Sequence, residues 1–447
     1  MKNAMKSFLV VVLCLIFMVS AIGCGKEKQP TDPNVNVSGE TGLKLPTIEL
    51  AGNTKVKVIS HDESVFTSAK QVFKDGYGGE VEVTAVAQGD VNTKFINSVL
   101  ANDPYDLVTG AYTPATIKKN IIAPLDQHID FTSELWASIY ELNKIWSTGG
   151  KFYVAIPSES RSTVVWYNKE IFEEFAVKTP SEYLADDNWN WDTMKEVAKK
   201  LTLDSDSDGS TDIYGLAFDN PWDLLTTTGA GILKYDEKGL ASNDLGSERV
   251  TRTMNYYSGL INLDKSVVLT GGKTKFTQGK LAMFYAGAWH GVNFTDQLDA
   301  KTIMIAPEPK DPQADKYYIS GGGYAYALAA NAKNPKGAAA LLCSARFVSA
   351  EAENAERKGD IKMWNVFNGN EECNNVLAEM RLNYTKYIGT SIRDYQSYNL
   401  LSVPWPMWCG GITENQPWAT VMEELNPIIN SAIEDAEELQ LQSETEE

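Results

Sequence analysis

The chain has 447 residues, 43% of them apolar, and a formal charge of −19. That length is too great for one ordinary core and asks for two domains or one interleaved pair. So acidic a surface repels nucleic acid and anionic lipid, and five cysteines without zinc-like spacing exclude a structural zinc site and a disulfide scaffold.

At the start, Lys2 and Lys6 precede the fifteen-residue apolar run FLVVVLCLIFMVSAI, which leads to Gly23-Cys24. A positive opening, an apolar stretch short of the ~20 residues a permanent span needs, and small residues before a cysteine are what export machinery reads. The pattern AIGC resembles the lipobox of bacterial lipoproteins. The resemblance implies that residues 1–23 are removed as a signal peptide and that Cys24 is lipidated, anchoring the protein at the extracellular face of the cell membrane. Residues 24–50 are polar, contain three prolines and show no apolar period, so they are expected to form a flexible tether. No later segment approaches a transmembrane length.

From Thr54 the chain alternates strand and helix: KVKVIS, a helical stretch near 64–75, EVEVTAV, a helix near 91–101, then DLVTGA. Such alternation predicts a parallel sheet with crossover helices, in which ligands meet the loops at the carboxyl ends of strands. His61, Asp62 and Glu63 follow the first strand and Tyr112 a later one, which makes all four cleft candidates. KFYVAIP and STVVWYN flank a short segment containing Arg161, suited to a chain passing from one domain to another. Arg161 there either binds a ligand hydroxyl or pairs with Glu159. WDTMKEVAKKLT places Met194, Val197, Ala198 and Leu201 on one helical face, and Trp189 and Trp191 read as packing residues.

An acidic loop follows. Asp204, Asp206, Asp208 and Asp212 stand at positions 1, 3, 5 and 9 of the run from Asp204, with Gly209 at position 6 and Ser210 beside it. This spacing wraps oxygens around calcium, which takes six to eight at about 2.3 to 2.6 Å. Position 12 is Gly215 in place of a bidentate glutamate, so a carboxylate from elsewhere would have to complete the shell. The alternative is a solvated Asp/Ser turn. Further on, KLAMFYAG and YAYALAANA read as strands, and PKGAAALLCSARFVSA as a helix opened by proline. The last helix is predicted over about 417–439, kinked or split at Pro427, with 438–447 as a frayed acidic tail. Cys343, Cys373 and Cys409 remain in the body and permit at most one disulfide, for which Cys373 and Cys409 are taken as the pair.

Four stretches, GKFYVAIPSESRSTVVWYNKEIFEE, NWNWDTMKEVAKKLT, FTQGKLAMFYAGAW and GGGYAYALAANAKNPKGAAALL, resemble in order the extracellular solute-binding proteins of ABC importers, in the branch containing the maltose-binding protein. The resemblance covers most of residues 51–345. It implies two interleaved α/β lobes joined by a hinge, the type II periplasmic-binding-protein fold. Lobe one would comprise 51–160 plus about 326–369, and lobe two about 161–325 plus about 370–437. Trp289 matches the family's ligand-stacking tryptophan, and Trp222 and Trp418 stand where relatives place aromatic ligand contacts.

Eleven tryptophans and twenty tyrosines suit a sugar, whose rings offer apolar C–H faces and polar edges. The expected function is a monomeric, non-catalytic receptor that captures a sugar or oligosaccharide and delivers it to a permease, with calcium as a structural cofactor. The same fold holding a peptide or polyamine is one alternative. A secreted carbohydrate-active enzyme is the other, although the sequence holds no GxSxG, HExxH or P-loop pattern.

Overall fold

The computed structural model describes residues 39–444 apart from 111–113, 145, 160–162, 221, 236–240, 295–297, 299–301, 358–369 and 388–413. Two main sheets form among the described residues. Their strands in chain order are β1 (Lys55–Ser60), β2 (Glu80–Ala85), β3 (Leu107–Thr109), β4 (Ile122–Ala123), β5 (Val154–Ala155), β6 (Thr163–Asn168), β7 (Tyr214–Phe218), β8 (Val267–Val268), β9 (Leu281–Gly287), β10 (Ile303–Pro307) and β11 (Tyr326–Ala329). The first sheet has the order β2-β1-β3-β11-β4, with β5 also pairing with β11, and the second the order β8-β7-β9-β6-β10.

Alternation of strand and helix predicts parallel sheets, and β1, β2 and β3 are parallel, as are β7, β8 and β9. Each sheet nevertheless contains one reversed strand. β11 runs against β3, β4 and β5, and β6 runs against β9 and β10. The reason is topological: both strands directly follow a passage between sheets. A chain that leaves one sheet at the carboxyl edge of its strands enters the other from that sheet's carboxyl edge, and so must run backwards. The carboxyl edges of the two sheets are therefore the edges on which the crossings converge.

Each sheet has its own core. One draws on residues 50–156 and 325–347, including Val58, Phe73, Phe95, Leu107, Trp136 and Leu341. The other draws on 164–319 and 373–433, including Trp166, Met194, Leu216, Phe284, Ile305 and Leu425. The chain thus visits lobe one, lobe two, lobe one and lobe two again. Local chemistry fits its path. Helix Trp191–Lys200 is opened by Asn190 and Thr193 in a reciprocal cap, and Met194, Val197, Ala198 and Leu201 on its inner face are fully buried.

Three expectations are corrected. The segment from Gly39 to Leu50 belongs to lobe one rather than to a flexible tether: Leu43, Leu45 and Ile48 pack against its core. The Glu351 carboxylate accepts the backbone N–H groups of Glu40 (2.8 Å) and Thr41 (3.2 Å), and the Tyr77 hydroxyl donates to the Pro46 carbonyl at 2.8 Å. Helix Trp418–Glu444 runs through Pro427 into the segment read as a frayed tail. Burial of Leu425 and Ile429 on either side of the proline offsets the one backbone bond that it removes. Finally, Cys373 is a buried free thiol, as is Cys343, so the pairing with Cys409 is not formed; Cys409 itself lies outside the described residues. Burial pushes both thiols up to about 12, which leaves them protonated and inert.

Candidate functional site

The carboxyl edge of the lobe-two sheet gathers the residues that follow β7, β9 and β10, with Thr163 at the start of β6. Asp219 continues the ladder past β7, its N–H donating to the Tyr285 carbonyl at 2.9 Å. After β9 the chain turns through the short helix Ala288–His290, which lifts Trp289 onto the rim, 50% exposed. The indole folds back over Gly287, where a Cβ would come within 2.2 Å of its Nε1, so only glycine leaves room for this placement. Its face stacks on the His290 imidazole, with centroids 3.7 Å apart and planes at 25°. His290 is itself buried, and its Nε2 lies 3.0 Å from Asp219 Oδ2.

Beneath this rim lie two buried carboxyl groups, Asp223 and Glu308. Asp223 accepts from Thr163 Oγ1 (3.0 Å) and Asn220 Nδ2 (2.9 Å). Glu308 accepts from the Tyr285 hydroxyl (2.8 Å), from Ser320 Oγ (2.7 Å) and from the Ser320 N–H. Thr226 Oγ1 lies 2.8 Å from Ser320 Oγ and donates to the Asp223 carbonyl. Burial, together with the charge of Asp219, pushes Asp223 up to about 7. Burial, together with the charge of Asp223, pushes Glu308 up to about 8. Thr163 and Ser320 are the lobe-two ends of the first two of the three passages between lobes, so those two rest on this acid cluster. Above it the crossings touch: a Cβ on Gly323 would come within 2.2 Å of Ile156 Cγ2 and 2.5 Å of the Ser158 carbonyl oxygen.

On the lobe-one edge, Ser60 Oγ accepts the Asp62 N–H (3.1 Å), and Asp62 Oδ1 accepts the Ser64 N–H (2.8 Å). Asp62 therefore spends part of its acceptor capacity on shaping the turn after β1. His61 and Glu63 are exposed. Tyr324, on the second crossing, is 50% exposed, with its ring 6.2 Å from that of His61.

The structure thus brings His61, Asp62 and Glu63 to one carboxyl edge and Trp289 to the other. It places Trp418 elsewhere: the indole is buried in the lobe-two core and donates to the Leu245 carbonyl at 3.2 Å, so it packs rather than presenting a face. Trp222 opens the short helix Trp222–Thr226 just past β7; its side chain is outside what the structure describes, and Tyr112, Arg161 and Cys24 lie outside the described residues. Trp189 and Trp191 are buried, donating to the Pro307 carbonyl and to Thr227 Oγ1. Asp219, His290, Tyr324, Asp223 and Glu308 escape sequence reasoning. Tyr324 stands at the start of the family-like stretch GGGYAYALAANAKNPKGAAALL, but its exposure is decided by how the crossings pack.

In the acidic loop, carboxylate oxygens of Asp204, Asp206 and Asp208 lie within 4.8 Å of one another, and all three residues are exposed. Gly209 sits at φ +90, in the region that glycine favours. Asp212 turns to Ser205 instead, accepting its N–H (2.8 Å) and its hydroxyl (2.6 Å), while Ser210 donates its N–H to Asp208. Three of the five expected ligands therefore converge, a donor set that fits a hard cation.

The profile described as bacterial extracellular solute-binding protein matches residues 61–352. No curated protein matches the chain. Among solved structures, the Listeria monocytogenes ABC substrate-binding protein Lmo0181, in complex with cycloalternan, aligns with a TM-score of 0.63 at 16% identity, over 85% of this chain and 98% of that one. The cyclic alpha-maltosyl-1,6-maltose binding protein of Arthrobacter globiformis aligns at 0.62 and 14% identity, over 86% and 99%. The maltose/maltodextrin-binding domain MalE from Bdellovibrio bacteriovorus, bound to maltotriose, aligns at 0.53 and 19% identity, over 87% and 99%. Likeness at such identities establishes the two-lobed fold.

Proposed function

The chain belongs to the bacterial extracellular solute-binding proteins, and we propose that it is the lipid-anchored receptor of an ABC importer. It captures a neutral sugar or oligosaccharide between its lobes and hands it, unchanged, to a membrane permease. The observation that carries this reading is the placement of Trp289 and Tyr324. They are the two large aromatic side chains that stand out as exposed among the described residues, and they occupy the two edges on which the crossings converge. Each has polar company, Asp219 on one side and His61, Asp62 and Glu63 on the other. Covering one sugar face of ~80 Å² contributes ~2 kcal/mol, so two platforms supply about half of the ~8 kcal/mol behind micromolar affinity. Hydrogen bonds to the acids supply the remainder.

The oligosaccharides named with the solved relatives agree with this chemistry. Closure on the ligand selects one arrangement of the lobes, which the permease then recognises. Cys24 ties the monomer to the extracellular face of the membrane. Asp204, Asp206 and Asp208, with oxygens from elsewhere, hold a structural calcium ion.

Thermal unfolding of the chain from Gly25 with a panel of mono- and oligosaccharides tests the reading. A ligand specific to the native state adds ~2.7 kcal/mol at a hundredfold excess over its dissociation constant. One responding sugar series, recovered intact, is the expected result. Cleaved sugar would overturn the receptor reading in favour of an enzyme, and no response to any sugar would overturn the choice of solute. For the anchor, Cys24→Ser in the full chain should release the protein from the membrane fraction.

A further inference from the structure

We propose that Asp219 is a specificity-determining residue of the cleft and that His290 positions both it and the Trp289 platform, so that the three together take one uncharged pyranose ring. The proposal rests on the reading of the cleft as a sugar site. It starts from a buried histidine that a packing role explains poorly. His290 is 3% exposed and surrounded by rings. Trp289 stacks on it, Phe294 lies parallel to it with centroids 5.5 Å apart and planes at 11°, and Phe284 meets it edge-on at 5.4 Å. An apolar side chain would fill such a pocket without bringing a polar ring into it. What the imidazole adds is one directed hydrogen bond, from Nε2 to Asp219 Oδ2 at 3.0 Å.

The tautomer follows from the partners. Nδ1 is buried and has no partner among the described residues. With the proton on Nε2, the ring donates to the carboxylate and leaves only a lone pair unmatched. With the proton on Nδ1, it would bury an unmade N–H and set a lone pair against the carboxylate. The Nε2–H form is therefore the one the site holds. It fixes two things around a single imidazole: the indole, backed on one face and free on the other, and the Asp219 carboxylate at the ring's edge.

Asp219 is suited to the second half of the task. Its side chain is 41% exposed, its backbone is tied to β9, and no lysine or arginine is among the ion-pair partners described for it. An ionised carboxylate only accepts, and it offers about four lone-pair sites. One is taken by His290, and the outward ones are suited to neighbouring hydroxyl groups of a ring whose C–H face covers Trp289. The same charge, next to the buried acid Asp223, disfavours a carboxylate or sulfate on that ring. Neutral sugars are thereby selected over uronates.

Calorimetric titration with maltotetraose, mannotriose and acarbose tests the arrangement on the wild type, Asp219→Ala, Asp219→Asn, His290→Phe and the Asp219→Ala/His290→Phe double variant. Hydrogen bonds to a charged group correspond to losses of roughly 10- to 100-fold. The tightest-binding probe should therefore weaken by about that much in Asp219→Ala, by less in Asp219→Asn, and by about tenfold in His290→Phe, which keeps the stack and loses the donor. The double variant should bind no more weakly than Asp219→Ala alone. Binding by Asp219→Ala within twofold of the wild type, or effects that multiply in the double variant, would overturn the proposal while the sugar reading stands. A wild type that binds none of the three probes would overturn the sugar reading and the role of Asp219 with it. The positioning role of His290 is read without ligand, from acrylamide quenching of the emission that Trp289→Phe removes. His290→Ala should raise that quenching about twofold by opening the second indole face, and His290→Phe should leave it unchanged. Equal quenching in wild type and His290→Ala would refute the backing role.

Discussion

Glu308→Gln should make the protein more stable than the wild type at alkaline pH and leave it nearly unchanged at mildly acidic pH. The folded state pushes Glu308 from 4.5 up to about 8 and Asp223 from 3.8 up to about 7, and no cation among the described residues is paired with either. Because the folded pKa is the higher one, the native state holds a proton that the unfolded chain has released. The associated stability is fully present below about 4.5 and is lost as the pH rises through 8. A tenfold difference in proton affinity between the folded and unfolded states corresponds to about 1.4 kcal/mol, so between pH 6 and 8 the Glu308 proton alone accounts for about 2 to 3 kcal/mol. For a lobe of this size that corresponds to a fall of roughly 5 to 10 °C in the unfolding midpoint. Glutamine keeps the shape. Its amide oxygen can accept the Ser320 N–H, and the hydroxyls of Tyr285 and Ser320 can turn to accept from its NH₂. Scanning calorimetry of wild type and variant from pH 5.5 to 9 is the assay. The wild-type midpoint should fall across this range, with the variant falling by several degrees less. Parallel curves would refute the reasoning, because every other titrating group is common to both proteins.

Three further outcomes are expected. Arg346→Met should destabilise lobe one by about 3 to 5 kcal/mol, because the buried guanidinium donates to the Leu135 and Pro157 carbonyls, to Ser138 Oγ and to both oxygens of Glu353; urea unfolding would measure it, and a loss under 1 kcal/mol would count against the network. Gly323→Ala should cost roughly 1 to 3 kcal/mol and change sugar affinity, since its Cβ would press on Ile156 and Ser158; titration and thermal unfolding together check this. Chelation should lower the wild-type midpoint, calcium should restore it, and Asp204→Asn/Asp208→Asn should abolish the response; equal midpoints with calcium and chelator would leave the loop as a solvated turn.

Much of the architecture is legible in the sequence because its signals are local. The alternation KVKVIS, helix, EVEVTAV declares crossover strands, and the apolar face of Met194, Val197, Ala198 and Leu201 declares a buried helix. Reversal of β6 and β11 is not local: nothing in STVVWYN or YAYALA reports the edge from which the chain arrives. The site shows the same division. His61, Asp62 and Glu63 follow a strand, so the rule that ligands meet carboxyl ends points to them, whereas Trp289 and Trp418 are picked out by their match to positions in the family's stretches. Trp418 defeats that reasoning, because a tryptophan beside a proline looks the same whether its indole faces a cleft or Leu245. Asp219 and His290 are 71 positions apart, and only the register of β7 against β9 brings them together. The ordered segment 39–50 was hidden by its composition: its leucines and isoleucine are too sparse to announce a core contact, and the Glu351 clasp comes from about 310 residues away.

That clasp bears on how a trap of this kind would work. Lobe one is clasped by the segment 39–50, through Glu351, Tyr77 and three apolar side chains. Two of the passages between the lobes end on the buried, hydrogen-bonded acids Asp223 and Glu308. Movement at the crossings then swings lobe two relative to lobe one. Trp289 is a prepared platform, its indole stacked on the buried His290. A rigid platform loses less freedom when a ring settles on it. Losing Trp289 should therefore cost the sugar both its face contact and this saving in freedom.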